Sequence, residues 1–276
     1  MLGAILGDIV GSIYEFNNIK TKDFPFIKDE CTFTDDSVMT LAVSKALLTS
    51  IKNNLNDEDT KLELIKDMRL LGNKYPGRGY GGMFYNWLHT PNPTPYNSFG
   101  NGSAMRVSSV GWLFNTLEEV EHYASLTAEV THNHIEGIKG AKATAAAIYL
   151  SRINKSKEEI KEYISKTYDY NLNETVDEIR DYYYFNETCQ KTVPQAIICF
   201  LEGNSYEDVI RNAISIGGDS DTLACIAGSI AEAYYEIPKE YKEIALGKLD
   251  NYLRDIYKEF VEYIDTFDNL INGIGQ

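Results

Sequence analysis

An all-α fold is what the sequence predicts, and three observations carry that expectation. Apolar residues recur at helical spacing over most of the 276 residues. Convincing period-two strands are absent. The interruptions are short glycine- and proline-rich loops rather than long linkers, so the length and the 43% hydrophobic share fit one compact multi-helix domain over residues 1–276.

The first segment reads as a helix in which Gly3, Gly7 and Gly11 fall at i, i+4 and i+8, leaving one face almost bare of side chains. Glycine costs about 1 kcal/mol per helical position relative to alanine, so this face implies close packing or ligand access. If the helix continues, Glu15 follows the same face four residues after Gly11. Helices are expected next over 37–50 and 60–71. Between residues 74 and 82 stand Pro76 and four glycines, which cannot propagate a regular element and make a loop able to approach a ligand closely. A second loop over 90–100, broken by Pro91, Pro93 and Pro95, leads into a helix over 104–114. Further helices are read at 120–131, 135–152, 157–166, 175–184, 194–202, 206–216, 222–235 and 239–267, the last with a break near 249–252.

Charge and cysteine content narrow the function. Acidic residues number 41 against 26 Lys and Arg, giving a formal charge of -15. The nearest basic cluster, Lys155 to Lys161, is interrupted by Glu158 and Glu159, so autonomous nucleic-acid binding is not expected. Phosphate-bearing small molecules remain possible ligands, because cations and backbone N–H groups supply local positive field. Cys31, Cys189, Cys199 and Cys225 form no C-x-x-C pair, and Cys199 and Cys225 lie in apolar helical patterns. These thiols fit a reducing, cytoplasmic setting. Asp8 interrupts the apolar start, which makes a poor signal peptide, and no run is long and apolar enough to span a membrane.

Two acidic motifs carry the chemistry. Thr34-Asp35-Asp36-Ser37 puts adjacent carboxylates just before an apolar helix, where either capping or a bound cation offsets their repulsion. Gly217-Gly218-Asp219-Ser220-Asp221-Thr222 precedes an almost uniformly apolar helix, and its aspartates converge only if the segment is a turn entering that helix. If the two helices pack together, four carboxylates and the hydroxyls of Thr34 and Thr222 form one oxygen-rich cluster. Such a set suits magnesium or manganese better than zinc. Glu15 is a further oxygen donor or an exposed helix-end glutamate. At Asn101-Gly102-Ser103-Ala104-Met105-Arg106, the amides offer donors to a phosphate, or Asn101 or Ser103 simply caps a helix. Arg106 and Arg78 each reach a phosphate or pair with an acid. Thr131-His132-Asn133-His134 lacks the further donors of a zinc site and suits hydrogen bonding to ribose or phosphate.

Taken in order, these motifs, together with Gly7-Asp8-Ile9-Val10-Gly11, make the chain resemble the ADP-ribosylglycohydrolase family, which includes the dinitrogenase-reductase-activating glycohydrolase. The resemblance runs to about Pro238 and implies an all-helical fold around two divalent cations, Mg2+ or Mn2+. It places metal ligands on Thr34, Asp35, Asp36, Asp219, Asp221 and Thr222, with Glu15 at an acidic position near metal or water. By the same resemblance, Asn101, Gly102, Ser103 and Ala104 bind a diphosphate, His134 lies near the ligand, and Gly79 and Tyr80 belong to a substrate loop. Ser37 stands where many members have threonine, which retains a hydroxyl. The implied reaction is hydrolysis of the C1″ glycosidic bond of an ADP-ribosyl conjugate, protein-linked or small, with Glu15, Asp35, Asp36 and Asp219 as catalytic candidates. A monomer or weak oligomer is expected. A non-catalytic ADP-ribose-binding protein and a helical metal-dependent phosphohydrolase are the competing expectations.

Overall fold

Local capping signals fix where many helices start. Thr116, Ser156 and Thr175 each open a capping box, their hydroxyls exchanging hydrogen bonds with the backbone and side chain of a glutamate three residues on. Residues 1–273 are described by the computed structural model, with side chains through residue 266. In chain order the helices are α1 (Leu2–Gly11), α2 (Asp35–Lys52), α3 (Asp57–Lys74), α4 (Gly82–His89), α5 (Gly102–Met105), α6 (Val110–Leu113), α7 (Leu117–Glu129) and α8 (Ile135–Arg152). They continue as α9 (Lys157–Tyr168), α10 (Val176–Tyr182), α11 (Cys189–Glu202), α12 (Tyr206–Ser215), α13 (Ser220–Tyr234), α14 (Lys239–Lys248) and α15 (Asn251–Gly273). Among the described residues, a single bridge between Gly100 and Thr188 is the one β contact, and no helix is long and apolar enough to cross a membrane.

The apolar α13 is buried from Ser220 through Ala231 and forms the axis of the core, packed by α1, α8, α11 and α12. Its contact with α1 is backbone to backbone. A Cβ on Gly3 would stand 2.4 Å from Gly228 O, one on Gly7 2.1 Å from Ala224 O, and one on Gly11 2.5 Å from Asp221 Cα. The bare face of α1 is thus an interhelical contact in which only glycine fits. At its start, the Glu232 carboxylate of α13 accepts from the N–H groups of Leu2 (3.1 Å) and Gly3 (2.8 Å).

Several expected elements shift. The first helix ends at Gly11 and passes into turns, with Tyr14 N bonded to Gly11 O at 2.8 Å, so Glu15 sits on a turn and not on a continued helical face. The short aromatic α4 emerges directly from the glycine loop. Residues 104–114 do not form one helix: α5 and α6 are separated at 106–109, where the Arg106 side chain turns into the core. Pro194 lies inside α11, which begins earlier at Cys189. The expected break in the last helix falls at Leu249 and Asp250, where Asp250 Oδ1 accepts from Leu253 N at 3.0 Å.

Because Gly7 has no room for a Cβ, Gly7→Ala should lower the unfolding free energy in urea by about 1–3 kcal/mol through overpacking. Gly247→Ala on α14, where a Cβ meets nothing within 4 Å, should be neutral or stabilising by up to about 1 kcal/mol. Equal loss in both variants would contradict this account of the α1–α13 contact.

Candidate functional site

The starts of α2 and α13 meet beside α1, and their acids converge there. Asp8 of α1 is fully buried and accepts from Thr34 N (2.9 Å), Thr34 Oγ1 (2.7 Å), Ser37 N (3.1 Å) and the Ser37 hydroxyl. Its carboxylate therefore holds the first turn of α2. Asp36 Oδ2 accepts from Thr222 Oγ1 at 3.2 Å, while its buried Oδ1 has no hydrogen-bond partner. On α13, Asp221 Oδ1 accepts from Thr222 N at 3.0 Å, and Asp219 Oδ2 accepts from Asn101 Nδ2 at 2.6 Å.

Oxygens of Asp8, Asp36 and Asp221 lie within 4.8 Å of one another, as do those of Glu15, Asp219 and Asp221. Asp221 is common to both groups. Burial pushes Asp8, Asp35, Asp36 and Asp221 above the usual carboxylate range, and for Asp35, Asp36 and Asp221 the neighbouring carboxylates push in the same direction. Asp219 is raised to about 6 by burial, and Glu15 to about 8 by burial and then by Asp221, Glu187 and Asp8. An all-oxygen, mutually repelling set with an orphaned buried oxygen on Asp36 matches the donor chemistry of hard divalent cations. Two groups joined through one carboxylate fit two ions.

These acids floor a cleft of about 420 Å³, within the range of pockets that take nucleotide-sized ligands. Glu15, Asp35, Asp36, Asp219, Asp221 and Thr222 line it, as do Gly79, Asn101, Gly102 and Arg106. Gly79 has a φ of +102°, and a Cβ there would stand 3.0 Å from Asp35 Oδ1. Thr34 instead directs its hydroxyl at Asp8. Arg78 ties the glycine loop to the segment before α2, donating to Phe33 O at 3.0 Å and stacking 3.8 Å from the Phe33 ring centroid.

Other expected ligand contacts lie off the cleft lining. Tyr80 turns its hydroxyl to Tyr75 O (3.0 Å), and Ser103 donates to Gly137 O (2.7 Å) from a fully buried position. Ala104 is buried in the core. His134 caps α8, its Nδ1 accepting from Glu136 N at 3.1 Å, and packs on Phe99. The histidine that lines the cleft is His132. Arg106 Nη2 donates to Thr127 O (2.8 Å) and to Thr131 Oγ1 (2.7 Å). The other neighbour of the Thr131 hydroxyl is His132 Nδ1, at 2.7 Å, and donation of the hydroxyl hydrogen there corresponds to the tautomer with the imidazole proton on Nε2. Nε2 faces the cleft backbone, 3.1 Å from where a Cβ on Gly102 would be. Burial and the Arg106 charge hold His132 well below 6.5.

Sequence reasoning missed Asp8, Tyr96 and Glu187 as parts of this region, and of the two histidines it weighed together the resemblance favoured His134, where His132 lines the cleft. Asp8 had a signal, as the one charge in the buried face of an apolar helix. Glu187, outside any motif, had none.

The family model described as ADP-ribosylglycohydrolase matches residues 1–266. ADP-ribosylhydrolase ARH3 of Homo sapiens is 26% identical, the match covering 90% of this chain and 88% of that protein. ADP-ribosylarginine hydrolase Tri1 of Pseudomonas putida is 24% identical, covering 99% and 80% respectively. Among solved structures, an ADP-ribosylglycohydrolase-related protein complex superposes with a TM-score of 0.65 at 19% identity, covering 92% of this chain and 93% of that one, which shows the shared fold.

Two outcomes follow from this geometry. Adding Mn2+ or Mg2+ to chelator-treated protein should raise its Tm, by about 2.7 kcal/mol of stabilisation at a hundredfold excess over Kd; Asp221→Asn, which alters both groups at once, should remove most of that gain. His132 should stay neutral at pH 6, with 15N shifts of the Nε2–H tautomer. Since its folded pKa lies below the unfolded value, its contribution to stability is complete above about pH 6.5 and declines as pH falls below it. A protonated imidazole at pH 6 would refute the relay.

Proposed function

The chain belongs to the ADP-ribosylglycohydrolase family, and on that premise we propose that it hydrolyses the C1″ glycosidic bond of an ADP-ribosyl conjugate, releasing ADP-ribose. The observation that carries this reading is the pair of carboxylate groups sharing Asp221 in a cleft that Asn101, Gly102, Arg106 and His132 also line. Two divalent cations, Mg2+ or Mn2+, held by Glu15, Asp36, Asp219 and Asp221 with Asp35, Thr34 and Thr222 alongside, would supply Lewis acidity and orient ribose hydroxyls and water.

The chain's own residues account for the remaining requirements. Arg106 is 1% exposed, and no carboxylate pairs with it among the described residues. Its buried charge favours an anionic diphosphate in the adjoining cleft, and the Nε2–H of His132 supplies a directed donor. Asn101 donates to one oxygen of Asp219 and so orients that carboxylate. Glu15 and Asp35 line the cleft, and either would accept the proton of the attacking water. The arrangement differs from ordinary glycosidases, where two free carboxylates flank the bond. Four unpaired buried cysteines support a cytoplasmic setting, and we take residues 1–276 as one domain.

Purified protein with Mg2+ or Mn2+ should release ADP-ribose from at least one of ADP-ribosyl-arginine peptides, ADP-ribosyl-serine peptides or a small ADP-ribose conjugate. Binding without release would identify a binding protein, and phosphate release from nucleotides alone a phosphohydrolase. Asp219→Asn should keep the fold and lower kcat/KM about 100-fold or more, a loss near 3 kcal/mol of transition-state stabilisation. Activity at wild-type level would remove Asp219 from the centre.

A further inference from the structure

The turn after α1 carries Glu15 and is fastened by two side chains outside every motif above. Asn18 Nδ2 donates to Tyr14 O (2.7 Å), Glu15 O (2.9 Å) and Gly218 O (2.8 Å), and Asn18 Oδ1 accepts from Gly218 N at 2.8 Å. One side chain thus binds the carbonyl of Glu15 and both backbone polar groups of the residue preceding Asp219. Two residues on, Lys20 Nζ donates to Ile216 O (2.6 Å), Tyr183 O (2.6 Å) and Arg180 O (3.0 Å), using all three of its donors. It joins the same turn to the end of α12 and to the segment leading to Glu187.

The partner these residues hold has little rigidity of its own. Gly217 and Gly218 have φ values of +72° and +80°, and a Cβ on Gly217 would stand 3.3 Å from both Asn18 Oδ1 and Lys20 Nζ. A two-glycine turn contributes no side-chain lock, so its conformation is set from outside. The Asp8–Asp36–Asp221 group, by contrast, is fixed by α1, α2 and α13, and none of the hydrogen bonds of Asn18 or Lys20 reaches it.

We propose that Asn18 and Lys20 are positioning residues for one half of the centre: they hold Glu15 against Asp219 and Asp221, and the other half does not depend on them. This rests on the reading of the carboxylates as a two-cation site. It predicts that loosening the turn weakens one cation and spares the other.

Calorimetric titration of chelator-treated protein with Mn2+ tests the proposal, alongside thermal unfolding to confirm that each variant is folded. Wild type should bind two ions. Asn18→Ala should weaken one by about tenfold or more and leave the other within about twofold, and the Glu15→Gln/Asn18→Ala double variant should bind no worse than Glu15→Gln, the non-additivity of residues acting through one another. Asn18→Asp, which keeps the acceptor for Gly218 N and loses the donor, should act in the same direction, as should Lys20→Met, with Lys20→Arg recovering part of the loss. In turnover, kcat should fall more than KM changes. Additive losses, equal weakening of both ions, or unchanged Mn2+ binding in Asn18→Ala would each overturn it. A wild type that binds no Mn2+ would sink the two-cation reading and this proposal with it, whereas a Glu15→Gln variant that binds both ions as tightly as wild type would overturn this proposal and leave the two-cation reading standing.

Discussion

The backbone contact of α1 with α13 is the constraint on which the rest depends. With glycine at positions 3, 7 and 11, the two helices approach until a Cβ on Gly11 would lie 2.5 Å from Asp221 Cα. That approach brings Asp8, one turn before Gly11 on its own helix, beside the entrance of α13. Asp8 then reaches the start of α2 and accepts from both backbone and hydroxyl groups of Thr34 and Ser37. Three helices are therefore registered by one packing face and one buried carboxylate. The glycine cost, about 1 kcal/mol each, is offset by the core burial of α13 that this approach permits.

Electrostatics make the same junction unfavourable in isolation. Two carboxylates about 4 Å apart repel by roughly 4 kcal/mol at an effective dielectric near 20, whereas a helix N-terminus returns about 0.3–1 kcal/mol per charge. The N-termini of α2 and α13 are too weak to balance five clustered acids. Hydrogen bonds help unevenly: Asp8 is saturated, Asp219 has Asn101, and Asp36 keeps one oxygen bare. The centre can remain folded by holding protons, which is the direction in which its carboxylates are shifted. It can also remain folded by holding cations, which places the negative charge to chemical use.

The fold and the floor of the site were legible for identifiable reasons. Long amphipathic or apolar runs such as Ile135–Arg152 announce themselves, and paired acids at the mouths of two apolar helices read either as caps or, if the helices pack together, as one cluster. Short elements were not legible. The eight-residue α4 is aromatic on most sides and starts on glycine, so no periodic stripe marks it. In Thr131-His132-Asn133-His134, spacing alone cannot say which imidazole turns inward; His132 does, linked through Thr131 to Arg106, twenty-six residues earlier in the chain. Asn18 and Lys20 were invisible because their partners are carbonyls and a backbone N–H, which every sequence offers equally.

The cleft lining brings together groups of opposite electrostatic character. The lining concentrates acids whose repulsion calls for cations, and it also carries a buried guanidinium without a carboxylate partner among the described residues and, linked to it through Thr131, an imidazole that burial holds neutral. Keeping His132 neutral matters here, because a second positive charge beside Arg106 would cost more to bury than it returned. On the proposed reading, the hydroxyls of the ligand would meet cations held by the acids, and its diphosphate would meet the field of Arg106. Arg106 thus contributes to orientation without leaving the core: its charge acts through a few ångströms of low-dielectric protein, where it is screened far less than a surface arginine would be.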